Sequence, residues 1–551
     1  MERFIRTETW LATEITLFAT KEYENPVRNV ILDMEISNGT RTLTVPAFWN
    51  GKNEWCFRFA LPEEGVWIYK TICNVPDENL NNIYGVVHCT KYSGDLEIFK
   101  RGFVTTHPDK KYLVYADGTP FFYLGDTHWN FLTEEFDSPG ENACGIECDS
   151  HFKYIIQRRL EQGYTVYQTE AIGLEFGIAD GIDENDLEIF KHADKYFKYI
   201  ADVGLLHANA QFFFPSEMIE LMEKMPPEEY EPILEDASRY WVARFGAFPC
   251  LWTLGQEIDN DFYYGESFSQ NKTMTAENNP YKKVCQWMYK YDPLKQPISA
   301  HQEGSYYIGK YTSAINSAFY NIEGHTWWAN QWKPVLNYPL DFTAAIDFWY
   351  NGQNKPIINY EARYELLWTN SLGARIQGWI AFLNGMFGHG YGAVDMWLYK
   401  SHYDIENPTY RDGLVMSVED KLMPWGKAIN LSGGIETAYV KKFFEKLEWW
   451  KMEPCFNLNE DFIADGGYYS ASHIGKDIYI AYFYDKVDEG FTKTTGSFIG
   501  LDDNAKYVYQ WYNPVTNTYL EEKPATIKDG CFKIEERPTL QDWVITLKKI
   551  K

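Results

Sequence analysis

Over the first hundred residues apolar and polar positions alternate in short runs, EITLFAT, NVILDMEIS, RTLTVPAFW, EWCFRFAL, GVWIYKTICN and GVVHCTKY, separated by turn signals such as SNGT, NGKNE and PEEG. A period of two reads as half-buried strands. Short strands at this spacing predict a β-sandwich over residues 1–100. From about residue 105 the period changes. The stretch DSHFKYIIQRRLEQG sets Phe152, Ile155, Ile156 and Leu160 on one helical face behind an Asp/Ser cap, and YTVYQTE follows as a strand.

That alternation recurs, with candidate strands at 121–125, 164–170, 208–214, 250–257, 297–304, 318–325, 356–361 and 379–385. Eight strands alternating with helical segments predict a (β/α)8 TIM barrel over residues 101–445. Beyond it short strands return in GYYSASH, DIYIAYFYD, YVYQWYNP, GCFKIEE and DWVITLKK, and predict a second β-sandwich over 446–551. The expected fold class is therefore α/β, a barrel flanked by two β-sandwich domains.

Composition narrows the function. A net charge of −27 repels phosphate backbones and anionic lipid alike, so neither nucleic acid nor a membrane is an expected partner. Hydrophobic residues make up 45%, which argues for a folded chain whose charge serves solubility. Aromatic residues reach 17%, read either as large cores or as flat apolar faces for a ligand with a polar rim, such as a sugar. The nine cysteines are scattered, and the nearest pair, Cys144 and Cys148, lacks the partners of a zinc site, so no metal and no cofactor are expected. The N-terminus MERFIRTETW has no apolar signal region, and no stretch reaches the roughly 18 to 20 apolar residues of a membrane span. The expectation is a cytoplasmic protein acting on a small carbohydrate, with a homo-oligomer left open.

In a barrel of this kind the strand ends converge on one mouth, where the chemistry sits. Strand one ends on Asp126, His128 and Trp129, strand two on Glu170, strand four on Gln256 and Glu257, and strand five on His301 and Glu303. Strand six ends on His325, Trp327 and Trp328, strand seven on Glu361, and the segment after strand eight supplies His389, Tyr391 and Trp397. Two carboxylates among aromatics and imidazoles match glycosidic hydrolysis, one protonating the leaving oxygen and one acting from the opposite side. Glu257 and Glu361 lie 104 residues apart, three βα units of roughly 35 residues, which sets them on strands four and seven. The bland alternatives are an ion pair for the two carboxylates, a helix cap for Asp126, and core packing or simple hydrogen bonding for the aromatics and histidines. Arg363 and Glu365 follow closely enough to orient Glu361. No G-x-S-x-G, Walker or H-E-x-x-H motif is present, which removes the warrant for esterase, NTPase and zincin chemistry.

FFYLGDTHWNF, PIINYEARYE and GWIAFLNGMFGHGYGAVDMW together resemble the apiosidase-like glycoside hydrolases, a (β/α)8 family. The flanking regions resemble the immunoglobulin-like N-terminal and small C-terminal β-sandwich modules that accompany this domain. The resemblance implies Glu257 as acid/base and Glu361 as nucleophile of a retaining mechanism, a substrate-hydroxyl contact from Asp126 and a sugar platform at Trp397. The strand-end positions themselves add candidate substrate contacts at His128, Trp129, Glu170, Gln256, His301, His325, Trp327, His389 and Tyr391. Gln256 departs from the Asn that many retaining relatives carry before this Glu. Its amide still donates to a hydroxyl but reaches one methylene further, which bears on the sugar recognised more than on the mechanism. The activity expected is exo-acting hydrolysis of a plant-derived oligosaccharide or glycoside. The alternatives are an endo-glycanase and a non-catalytic carbohydrate-binding protein on the same scaffold.

Overall fold

The computed structural model describes residues 3–129, 136–137, 146–170, 182–210, 215–255, 280–300, 320–322, 349, 356–366, 369–393, 396, 425–456, 461–465, 468–485 and 495–550. The N-terminal alternation folds into a five-stranded sheet, in the order Arg3–Glu8, Tyr84–Thr90, Gly65–Cys73, Leu32–Ser37, Thr42–Pro46, and a three-stranded sheet of Thr13–Phe18, Glu54–Phe59 and Phe48–Gly51. Trp67, Tyr69, Met34 and Ile36 from the first join Trp55, Phe57 and Ile15 from the second in one core. The opposite face of the larger sheet leaves Val66, Ile68 and Ile72 exposed, as the period of two requires.

Eight parallel strands form the central sheet: β1 (Tyr123–Thr127), β2 (Val166–Glu170), β3 (Leu206–Ala210), β4 (Cys250–Thr253), β5 (Ile298–Ser299), β6 (Tyr320–Ile322), β7 (Ile357–Asn359) and β8 (Gly388–Tyr391). Their spatial order is β5-β4-β3-β2-β1-β8-β7-β6. The sheet curls strongly. In a flat sheet β4 and β7, five steps apart, would be separated by about 24 Å. Yet Thr253 Oγ1 on β4 lies 3.4 Å from the hydroxyl of Tyr360, the residue after β7. Gln168 on β2 likewise reaches across to donate its amide to the Tyr360 carbonyl at 2.7 Å. A Cβ at Gly390 would stand 2.1 Å from that same backbone carbonyl, so this position needs the bare backbone, and one at Gly125 would stand 2.0 Å from the Gln168 amide, which could not keep its place beside it.

Strand eight differs from the sequence expectation. Residues 379–385 fall mostly in the helix Ser371–Leu383, which opens on Asn370 accepting from the Gly373 N–H. Every residue from Gly373 to Leu383 is buried, because this helix is covered by the sheet on one side and by the helix Ser432–Phe444 and the C-terminal strands on the other. An apolar run covered all round carries no period to separate helix from strand. The strand itself is the glycine-rich GHGY.

The C-terminal region forms a seven-stranded and a three-stranded antiparallel arrangement. Ion pairs tie both ends to the centre, buried on the C-terminal side and partly exposed on the N-terminal side. Arg375 clasps Asp542 with two bonds of 2.8 and 2.7 Å and also pairs with Glu436. On the N-terminal side Asp194 receives both Arg58, at 2.8 Å, and Arg244, while Arg239 pairs with Asp33 at 2.7 Å. Among the described residues no helix is long and apolar enough to cross a membrane.

Candidate active site

Glu361 follows β7 by two residues and is buried, 8% exposed as a residue. Its Oε1 accepts from two donors: the indole N–H of Trp129 at 3.1 Å and the hydroxyl of Tyr364. The indole lies 2.5 Å from the Tyr364 oxygen as well, so the three polar atoms form one triangle. Trp129 reaches this point from the end of β1, its ring 6.1 Å from that of Tyr360. Indole has a single N–H and no acceptor, so once buried it must find an oxygen, and an ionised carboxylate makes the stronger partner. The arrangement aims the Glu361 carboxylate from one side. Thr253, on the strand that leads to Glu257, touches Tyr360 and so ties the end of β4 to the residue before Glu361.

Strand parity divides the other candidates. Register pairs Gly125 with Val166 and with Gly390, and these positions share the inner face with Gln168, Thr253 and Tyr360. Asp126, His389 and Tyr391 occupy the alternate, outer face, beneath the helices. Asp126 is wholly buried there, its Oδ2 accepting from Arg159 Nε at 2.6 Å and bonded to His128. Burial alone would push its carboxyl up, but the Arg159 guanidinium and His128 hold it below the usual carboxylate range. His389 Nδ1 lies 3.1 Å from the Asn359 amide on the neighbouring strand, and burial pushes its imidazole down to about 3, so the ring is neutral. Tyr391 donates to Glu365 at 2.6 Å, and burial pushes the Glu365 carboxyl up.

Of the residues expected at the mouth, the structure therefore brings together Trp129 and Glu361. It sets Asp126, His389 and Tyr391 apart from them on the outer face. His128 bonds Asp126, with its ring 4.7 Å from that of Tyr167. Glu170 ends β2. Gln256, Glu257, His301, Glu303, His325, Trp327, Trp328 and Trp397 lie outside the described residues. Glu365 bonds Tyr391 and the Gly433 N–H, the Arg363 backbone exchanges bonds with Gln377, and Trp129 and Tyr364 are among the groups on Glu361.

Sequence reading missed two residues. Tyr364 stands three positions after Glu361 in PIINYEARYE, beside the charged Arg363 and Glu365. Arg159 occupies the buried face of the helix His151–Gln162, and Leu160, expected there, is only partly buried. A cation one turn from Ile155 and Ile156 was the available signal, since such a charge is buried only against a partner.

The apiosidase-like catalytic-domain family matches residues 107–451, more than half of the chain, and a domain of unknown function matches residues 6–74. The chain belongs to the apiosidase-like family. By that membership it is a glycosidase. No curated protein matches it. Among solved structures this apiosidase-like chain is similar to a Bacteroides vulgatus protein described as a candidate glycoside hydrolase, at 15% identity and a TM-score of 0.66, covering 99% of this chain and 100% of that one. A structure described as a glycoside hydrolase has a TM-score of 0.58 at 15% identity, covering 83% and 98%. A glycoside hydrolase family 5 protein of Bacteroides vulgatus has a TM-score of 0.57 at 15% identity, covering 82% and 94%. At this identity the likeness is one of fold.

Proposed function

We propose that the chain hydrolyses a glycosidic bond with retention of configuration, Glu361 acting as nucleophile and Glu257 as acid/base. One observation carries the reading: the Glu361 carboxylate, just past β7, is held on one oxygen by Trp129 and Tyr364. A nucleophile must keep its aim through formation and breakdown of the glycosyl-enzyme ester, and two donors anchored on a packed scaffold supply that constraint. The position of Glu257, four residues beyond Thr253, supports the pairing, because Thr253 contacts the residue before Glu361.

In this reading the eight strands close into a (β/α)8 barrel, with domains at 1–100, 101–445 and 446–551. The strand order supports it: it is the cyclic order of a barrel opened between β5 and β6. Carboxylates about 5 to 5.5 Å apart would fit the covalent route. The substrate is a small plant-derived oligosaccharide or glycoside, cleaved from its end. Aromatics in the segments around Trp327 and Trp397 support a walled pocket.

The test is a panel of aryl pentosides and hexosides and of plant oligosaccharides, with Glu361→Gln and Glu257→Gln alongside. Hydrolysis by the unmodified chain, lost by at least about a thousandfold in Glu361→Gln, is the expected result. Release of midchain products would point to endo action. No turnover on any member, with Glu361→Gln binding the oligosaccharides unchanged, would overturn the enzymatic reading in favour of a carbohydrate-binding protein.

A further inference from the structure

We propose that the buried charged network beneath the helix His151–Gln162, centred on Arg159, positions the two donors that hold Glu361; the proposal rests on the reading of Glu361 as nucleophile. The key juxtaposition is between two pairs of sequence neighbours. In His128–Trp129 and in Tyr364–Glu365, one member bonds the site and the other joins the network. Trp129 and Tyr364 donate to Glu361, while His128 bonds Asp126 and Glu365 accepts from Tyr391.

The network is continuous. Arg159 Nε bonds Asp126 at 2.6 Å, and its guanidinium carbon lies 5.4 Å from the centre of the Tyr391 ring, whose hydroxyl bonds Glu365 at 2.6 Å. The Gly433 N–H closes on Glu365 from the helix Ser432–Phe444, and Arg159 also donates to the Ile429 carbonyl at 3.0 Å. Both ends of the cradle thus hang from one buried cation that is itself anchored to the helix layer.

Helix-to-sheet packing does not need this arrangement. Apolar side chains of the same volume would pack the interface at least as stably, since burying charges costs more than an apolar replacement. What the charges add is direction. Each carboxylate accepts along defined lines, so the backbone at 128–129 and at 364–365 is fixed in angle as well as in place. A displacement of about 1 Å at a reacting group costs on the order of a hundredfold in rate, which gives such a fixture its value.

The test uses three substitutions outside the donors: Tyr391→Phe, which removes only a hydroxyl; Gly433→Ala, whose Cβ would stand 2.3 Å from Glu365 Oε2; and Asp126→Asn. Two readouts separate positioning from simple stability. The first is the KM-against-kcat split: kcat should fall about tenfold to a hundredfold with KM within about twofold. The second is the 19F resonance of 5-fluorotryptophan at position 129, assigned by its loss in Trp129→Phe. That resonance should shift in all three variants while those of Trp55 and Trp67 in the N-terminal sheets stay in place. An unmoved Trp129 resonance in the three folded variants would overturn the proposal. The two ideas fail separately: if Glu361→Gln keeps full turnover the nucleophile reading falls, and the resonance shift still decides the network's role.

Discussion

Trp129 and Glu361, 232 residues apart, meet at 3.1 Å, with the indole N–H on the carboxylate Oε1. One stands just past β1 and the other just past β7, and the bond joins the ends of the two strands that flank β8. Tyr364 adds its hydroxyl to the same oxygen. A hydrogen bond to a charged group contributes about 1.5 to 3 kcal/mol. Trp129→Phe and Tyr364→Phe should each lower kcat by about ten- to a hundredfold. Because they share an oxygen and touch one another, the double variant should lose less than the product of the two. Steady-state kinetics on the best substrate of the glycoside panel checks both points.

The C-terminal strands should come away if their central ion pair is broken. Asp542 is fully buried and takes two bonds from Arg375 and one of 2.8 Å from Tyr482. Asp542→Ala removes two bonds from the buried guanidinium and leaves Glu436 as its remaining acid partner, at a cost of about 3 kcal/mol. Denaturant unfolding should show an earlier transition, and Asp542→Asn should recover part of the loss.

Gly390→Ala should damage the site from a distance. The added methyl meets the Tyr360 carbonyl at 2.1 Å, which is backbone and cannot swing aside, and Tyr360 immediately precedes Glu361. A cost of about 1 to 3 kcal/mol or more in stability is expected, together with loss of kcat beyond the loss of folded protein. Thermal unfolding and active-site titration separate the two.

Acid should unfold the protein through its buried neutral histidines. Burial pushes His151, His207 and His389 each down to about 3 in the folded state, against about 6.5 unfolded. Below pH 6.5 the unfolded chain therefore binds protons that the native state refuses. Stability falls by about 1.4 kcal/mol per pH unit for each such group until pH reaches about 3. Asp126, held below its ordinary value, adds to the loss below about pH 4. His389→Gln should make the stability profile between pH 6 and 4 measurably shallower, by one group's slope.

Alternation of period two or 3.6 made the sheets and most helices legible, because half-buried elements write their exposure into the sequence. The helix Ser371–Leu383 defeated that logic by being covered all round. The same limit hid the division of the strand-end residues. Asp126 was expected at the mouth because it follows an apolar run, but β1 extends through Thr127, and one step of register turns Asp126 outward to Arg159. Glu361 was legible as an acid ending an apolar strand. Trp129 was legible beside it as an aromatic at a strand end, whereas the bond between the two and the part played by Tyr364 depend on three-dimensional placement that no local pattern records.

The most direct test of Glu361 as nucleophile is to trap the covalent intermediate. The fluorinated, slowly hydrolysed analogue of the best glycoside in the panel is incubated with the unmodified chain, and the labelled peptide is mapped by mass spectrometry. The account predicts one sugar per chain, attached at Glu361. Attachment to another carboxylate, or hydrolysis of the parent glycoside with inverted configuration, would contradict it.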